Sequence, residues 1–181
     1  MNNIRVVDFF IEEEDIKSLI SEIESPSEVN PYPDFYSNRN GGTSLPYNKL
    51  VIEILKKYAN KANKLHAQFN NLDYNLYTTK AYSSKWVKGQ SGGPHVDDVE
   101  KEEFVQYSTV VYLNESPEFT GGTIYFPERN FEYTPIKASA LFFPQQDKSY
   151  IHGITEVTSG TRYTIVMHHC SDISFADPDL L

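Results

Sequence analysis

The sequence predicts a mainly β protein of the loose α+β kind, a β-sandwich or jelly roll with N-terminal helices packed on one sheet. Three observations lead there. Two helical patterns are confined to about residues 1–70; short aromatic and β-branched runs then follow one another from about 74 to 170, and Gly, Pro, Asn and Ser separate them at the spacing of an all-β fold. A chain of 181 residues fits one globular domain, 1–181, that buries about 70% of its unfolded surface without needing a metal or disulfide to fold.

The first helix is predicted from Ile11 to Ile23. Glu12, Glu13, Glu14 and Asp15 crowd its first turn, where the positive end of the helix dipole favours them, and Ile16, Leu19, Ile20 and Ile23 form one apolar stripe. A polar stretch from Ser25 to Ser44 follows, carrying Tyr32, Phe35, Tyr36 and Arg39; its length and aromatic content fit a functional lid hinged at Gly41-Gly42. A second helix is predicted from Pro46 to about Phe69, with Ser44 as a cap and Leu50, Val51, Ile54, Leu55, Tyr58, Ala62, Leu65 and Phe69 on its apolar face. Its lysines read as a solvated face.

Strand-like runs are Tyr74–Tyr82, Trp86 with Val87, Val105–Leu113, Thr123–Phe126, Ala138–Phe143, Tyr150–Val157 and Arg162–His168, with a tight hairpin turn expected at Thr158-Ser159-Gly160. The net charge of −9 is a poor background for gripping phosphate backbones, so no nucleic-acid partner is expected. The single cysteine, Cys170, reads as an inert small hydrophobe and excludes an internal disulfide. No apolar run reaches the length of a membrane span, and no secretory signal is evident in MNNIRVVDFF; a soluble, cytoplasmic protein is expected.

The chemistry concentrates at Gly92-Gly93-Pro94-His95-Val96-Asp97-Asp98. On an extended segment His95 and Asp97 point the same way, which supplies two of the three ligands of a 2-His-1-carboxylate iron site; Asp98 has the wrong parity. By themselves these residues also suit an ordinary polar loop. His152 and Arg162 lie further on. Arginine is a rigid, permanently charged fork for a carboxylate, and a metal with an open face can chelate an α-keto acid whose far carboxylate needs such a cation. With His152 and Arg162 on the two arms of the hairpin at Ser159, the guanidinium would lie deep between the sheets, and Thr164 would share its face. His66 reads as solvent-facing or helix-packing, and His168 and His169 as structural, although His168 shares the parity of Arg162.

The order His95-x-Asp97…His152…Arg162 resembles the iron- and 2-oxoglutarate-dependent dioxygenases, and more narrowly their prolyl 4-hydroxylase-like branch. Trp86-Val-Lys-Gly89-Gln90, Val110-Val-Tyr112-Leu113-Asn114, Gly121-Gly122-Thr123-Ile-Tyr-Phe126-Pro127, Ala140-Leu-Phe-Phe143-Pro144 and Tyr150-Ile-His152-Gly153 carry the likeness over roughly 74–170. The resemblance implies a double-stranded β-helix. It implies Fe(II) on His95, Asp97 and His152, 2-oxoglutarate and O2 as cosubstrates, and ascorbate as a reductant. Arg162 would bind the 2-oxoglutarate C5 carboxylate, and Tyr112, Thr123 and Thr164 would line its pocket, though Tyr112 and Thr123 suit a strand core equally well. Two departures stand out: Trp86 where prolyl hydroxylases often carry Tyr, and Arg162 where several carry Lys. Tyr36, Arg39, Tyr82 and Trp86 are the expected substrate contacts, flanking the metal mouth. Peptidyl proline is the leading substrate, with a free amino acid or other small molecule as the alternative. A non-catalytic jelly-roll binding module would explain the strands but not three ligands and an arginine in order.

Overall fold

A computed structural model describes residues 3–24, 48–97, 104–145 and 147–181. Two helices, α1 (Glu13–Glu24) and α2 (Lys49–Phe69), accompany ten strands among the described residues: β1 (Arg5–Val7), β2 (Tyr77–Val87), β3 (Gly92–His95), β4 (Tyr107–Tyr112), β5 (Phe119–Gly121), β6 (Ile124–Phe126), β7 (Phe131–Tyr133), β8 (Ala140–Pro144), β9 (His152–Ile154) and β10 (Val157–Cys170). A larger sheet runs β1-β8-β4-β10-β2, with β5 also paired to β10, and a smaller one runs β3-β9-β6-β7. Every pairing is antiparallel.

Alternation along the strands assigns the two faces of the larger sheet. Ala81, Val111, Leu113, Phe142, Ile165 and Met167 turn to one side and bury the apolar stripes of both helices. Val110, Tyr112, Leu141 and Phe143 turn to the other and meet Ile124 and Phe126 from the smaller sheet. The molecule is thus three-layered, helices on sheet on sheet, and the second interface holds the site.

The elements differ from the sequence reading in instructive places. Helix α2 begins at Lys49, because Asn48 caps it: its side chain accepts the Val51 N–H at 2.9 Å. The expected cap at Ser44 and the Ser25–Ser44 lid lie outside the described residues. The runs Tyr74–Tyr82 and Trp86-Val87 are one strand, since Ser83 and Ser84 sit buried in the sheet rather than in a turn. The hairpin expected at Thr158-Ser159-Gly160 does not form. That stretch lies within β10, where Ser159 pairs with Thr120 and Gly160 with Phe119. Gly160 takes φ +70°, and a Cβ there would lie 2.1 Å from the Glu118 carbonyl oxygen, so glycine permits close pairing rather than a reversal. His152 and Arg162 consequently stand on strands of different sheets, not on two arms of one hairpin.

Of the two readings of His66, solvent-facing or helix-packing, the second holds: it is buried and joins a polar cluster under α2. His169 Nδ1 donates to Asn63 Oδ1 at 2.8 Å, and its Nε2 meets Thr109 Oγ1 at 3.0 Å; His66 Nε2 meets the same hydroxyl at 2.9 Å. Burial pushes His66 down from its ordinary value to about 3, and His169 well below its own. A histidine whose folded value is depressed stabilises the fold above the unfolded value near 6.5 and loses that contribution as pH falls toward the folded value. His66→Gln should therefore reduce the acid sensitivity of stability between about pH 6.5 and 5 by up to one proton, roughly 1.4 kcal/mol per pH unit, in urea unfolding at stepped pH. Identical slopes for the two proteins would show that His66 does not stay neutral in the fold.

Candidate metal centre and anion pocket

The smaller sheet builds the metal end. Pro94 donates no backbone hydrogen bond and is tolerated because β3 is an edge strand. His95 on β3 lies directly across from His152 on β9, so the two imidazoles are cross-strand neighbours with ring centroids 4.7 Å apart. Asp97, two residues past His95, returns to the same side. Its Oδ1 lies 3.6 Å from His95 Nε2 and 3.9 Å from His152 Nε2. One donor atom from each of the three residues falls within 4.8 Å of the others.

Backbone carbonyls set the imidazole tautomers. His95 Nδ1 lies 2.8 Å from the Gly93 carbonyl and His152 Nδ1 lies 3.1 Å from the Tyr150 carbonyl. A carbonyl only accepts, so both Nδ1 atoms carry the proton and both Nε2 lone pairs turn toward Asp97. Three electron-rich atoms then converge, an arrangement that calls for positive charge at its centre. Burial by itself would raise the Asp97 carboxyl, but positive charge beside it, as on the His95, His168 and His152 imidazoles when they are protonated, outweighs burial and holds the carboxyl well below the usual carboxylate range. Phe126 and Phe143 pack against the His152 ring, with centroids at 5.4 and 5.0 Å, and hold it in place.

The other end of the same interior belongs to β10. Residues Arg162, Thr164, Val166 and His168 share one face, with Trp86, Ser84 and Tyr82 opposite the first three on β2. Arg162 is only 1% exposed, and its Nε and Nη2 have no hydrogen-bond partner among the described residues. Its guanidinium carbon stands 5.4 Å from the Tyr112 ring centre. The Tyr112 hydroxyl and the Thr164 hydroxyl are likewise buried and unpartnered. Burial pushes the Tyr112 phenol up, which keeps it a neutral O–H donor. A buried guanidinium without a counter-charge is costly, and with the two unsatisfied hydroxyls beside it forms a pocket complementary to an anion.

Of the residues singled out from the sequence, His95, Asp97 and His152 come together, as do Arg162, Tyr112 and Thr164. Thr123 does not join them. It precedes Ile124, whose side chain faces the interior, so its own parity is outward, and its hydroxyl meets Thr134. Trp86 stands opposite Arg162 in register and is buried with Phe119, Val157 and Ile154, its indole reaching Gly92 of β3 and its N–H donating to Ser84. Tyr82 stacks on His168 at 5.8 Å. Tyr36, Arg39 and Asp98 lie outside the described residues. Sequence reasoning overlooked Ser108 and Gln145, which both contact Asp97; the parity Ser108 shares with Val110 and Tyr112 was the available signal.

The family model for the 2OG-Fe(II) oxygenase superfamily matches residues 78–169, the stretch that carries both ends of this interior, and the chain belongs to that family. It is an oxidoreductase of the class that uses Fe(II), 2-oxoglutarate and O2, and the His95, Asp97 and His152 group fits an iron site. Its fold is similar to that of a viral collagen prolyl hydroxylase from Paramecium Bursaria Chlorella virus-1, with 17% identity, TM-score 0.73, and 94% of this chain and 97% of that chain covered. A Pseudomonas putida prolyl-4-hydroxylase aligns with 16% identity and TM-score 0.67 over 95% of this chain and 94% of its own. A Burkholderia pseudomallei oxidoreductase of the 2OG-Fe(II) oxygenase family aligns with 13% identity and TM-score 0.70 over 94% and 85%. No curated protein matches the chain by sequence. Among the described residues no helix is long and apolar enough to cross a membrane.

Gly122 makes room for the pocket. It takes φ +65°, and a Cβ there would come within 2.7 Å of Arg162 Cδ. Gly122→Ala should destabilise the protein by about 1–3 kcal/mol, through backbone strain and displacement of the arginine stem, read as a lower urea midpoint at unchanged slope. An unchanged midpoint would mean that the arginine does not occupy this position.

Proposed function

We propose that the chain hydroxylates an unactivated C–H bond of proline in a short peptide while 2-oxoglutarate is decarboxylated to succinate and CO2. The observation that carries the reading is the buried, unpartnered Arg162 set in the same interior as the three convergent ligand atoms. His95 Nε2, Asp97 Oδ1 and His152 Nε2 hold Fe(II), which supplies the redox chemistry with O2 when bound. Both imidazoles keep their protons on Nδ1 against backbone carbonyls, so the rings are oriented before the metal arrives. Arg162 Nε and Nη2 donate to the C5 carboxylate of 2-oxoglutarate, with the Tyr112 and Thr164 hydroxyls as further donors. Phe126, Phe143 and Tyr112 exclude water from the region between the two ends.

Proline-containing peptides are pre-ordered extended helices that dock on aromatic surfaces at low entropic cost, and the half-buried ring of Tyr82, stacked on His168, offers such a surface. Two of the structurally similar proteins are prolyl hydroxylases, which supports the same reading. The burial of Trp86 favours the second reading, a free amino acid or other small molecule, because it withdraws one expected wall of a peptide groove.

The deciding assay supplies Fe(II), 2-oxoglutarate and O2 with a library of proline peptides and a panel of free amino acids. A peptide that gains the mass of one oxygen atom, with stoichiometric succinate, is the expected result; coupled oxidation of a free amino acid alone would hand the function to the second reading. His152→Ala should abolish turnover with the fold retained, since a chain of this size does not depend on a metal to fold. Arg162→Ala should raise the KM for 2-oxoglutarate roughly 30- to 1,000-fold, the equivalent of about 2–4 kcal/mol for a charge-assisted bidentate contact. An unaltered KM would place the distal carboxylate elsewhere.

A further inference from the structure

Behind Asp97 stands a polar chain that no metal ligand belongs to. Gln145 Nε2 donates to Asp97 Oδ2 at 2.6 Å and to Ser108 Oγ at 2.7 Å. Ser108 Oγ lies 3.3 Å from the same Asp97 Oδ2 and 3.1 Å from His168 Nδ1. His168 Nε2 in turn lies 3.4 Å from the Tyr82 hydroxyl, whose ring stacks on the imidazole at an interplanar angle of 15°. Ser108, Gln145 and His168 are each no more than 2% exposed, so the Gln145 amide nitrogen, the Ser108 hydroxyl and His168 Nδ1 bond within the chain instead of to water, while Gln145 Oε1 has no hydrogen-bond partner among the described residues.

Proton counting orders the chain. Both amide protons of Gln145 are spent, one on Asp97 and one on Ser108; the flipped amide would set its carbonyl oxygen against a carboxylate. Ser108 has one proton. If that proton went to His168 Nδ1, Asp97 Oδ2 would face a bare hydroxyl oxygen. The arrangement that avoids this contact has Ser108 donating to Asp97 and His168 Nδ1–H donating to Ser108. His168 Nε2 is then the acceptor for the Tyr82 hydroxyl. Every donor points toward Asp97 Oδ2, while Oδ1 is the oxygen that faces His95 and His152.

We propose that Gln145, Ser108, His168 and Tyr82 form a directed hydrogen-bond relay that fixes Asp97 as a one-oxygen metal ligand, with Oδ2 tethered and Oδ1 presented. Gln145, Ser108 and His168 are positioning residues: they act through Asp97 and touch no substrate, and Tyr82 closes the relay at its far end. The consequence for the site is that a second carboxylate oxygen is kept off the metal, so the open positions opposite the three ligands stay open for cosubstrate. The relay also runs to Tyr82 at the rim of the interior, so a substrate that engages the Tyr82 hydroxyl would be sensed at the metal carboxylate. The inference rests on the proposed metal centre, and its test separates the two.

The tautomer of His168 is the first readout, taken from side-chain nitrogen shifts of the metal-free protein at about pH 8, above the ordinary histidine range. The relay predicts the Nδ1–H form; an Nε2–H form or an imidazolium overturns it. Mn(II) affinity by titration calorimetry is the second. Gln145→Ala should weaken Mn(II) binding roughly 10- to 100-fold, with Ser108→Ala acting in the same direction. Metal-free circular dichroism and unfolding midpoint should stay near wild type for Gln145→Ala, which carries the affinity test should Ser108→Ala fail to fold. Wild-type Mn(II) affinity in Gln145→Ala overturns the relay. A wild-type protein that binds no Mn(II) instead overturns the metal centre, and the tautomer still decides the relay.

Discussion

A guanidinium buried without a counter-charge is the constraint around which this interior is arranged. Removing a permanent charge from water costs several kcal/mol even after relaxation, and Arg162 recovers little of that from the ring of Tyr112. Much of the local architecture accommodates it. Gly122 yields the space of a side chain to its stem, and Trp86 stands opposite it in register on β2, its own indole N–H satisfied by Ser84. The unpartnered hydroxyls of Tyr112 and Thr164 make sense only beside an anion. The fold spends stability on a pocket that a dicarboxylate would complete.

The opposite end obeys the same electrostatics with the sign reversed. Two carbonyls fix imidazole protons away from the centre, and Gln145 and Ser108 engage the far oxygen of Asp97, so lone pairs gather where a cation belongs. Strand β10 connects the two ends. One of its faces carries Arg162, Thr164 and His168 toward the interior, while Ile165 and Met167 on the other bury the helices. Strand alternation turns His168 and His169 to opposite faces, so these adjacent histidines serve different networks, one behind the metal ligands and one beneath α2. Both networks are anchored on adjacent residues of β4, Ser108 and Thr109.

Much of this was legible because the relevant signals are local. The acidic first turn and apolar stripe of α1 and the i, i+3/i+4 pattern of α2 are properties of short windows, as is the shared parity of His95 and Asp97. What escaped depends on partners distant in the chain. Thr158-Ser159-Gly160 has the composition of a turn, yet β5 offers it a pairing partner some forty residues away, and the ladder wins. Thr123 sits among pocket residues in sequence, but the register of β6 turns it outward. Trp86 had the size and character of a groove wall, and only the pairing of β2 with β10 shows that it is buried opposite Arg162, packed on Phe119 and Val157. For His66 the sequence left solvent and helix packing both open; a buried hydroxyl from β4, beside a carboxamide-anchored His169, decides for packing. Gln145 carries no signal in sequence at all, since its role exists only once β8 ends against Asp97.

The central claim is that a single small molecule spans both ends, chelated at the metal centre and anchored at Arg162. Calorimetric titration of 2-oxoglutarate and of glutarate, which has both carboxylates but no keto oxygen, tests it with and without Mn(II). The account predicts that Mn(II) tightens 2-oxoglutarate binding, with the reciprocal gain for the metal that linkage requires, and leaves glutarate nearly unaffected. Equal affinity for 2-oxoglutarate in the presence and absence of the metal would contradict it.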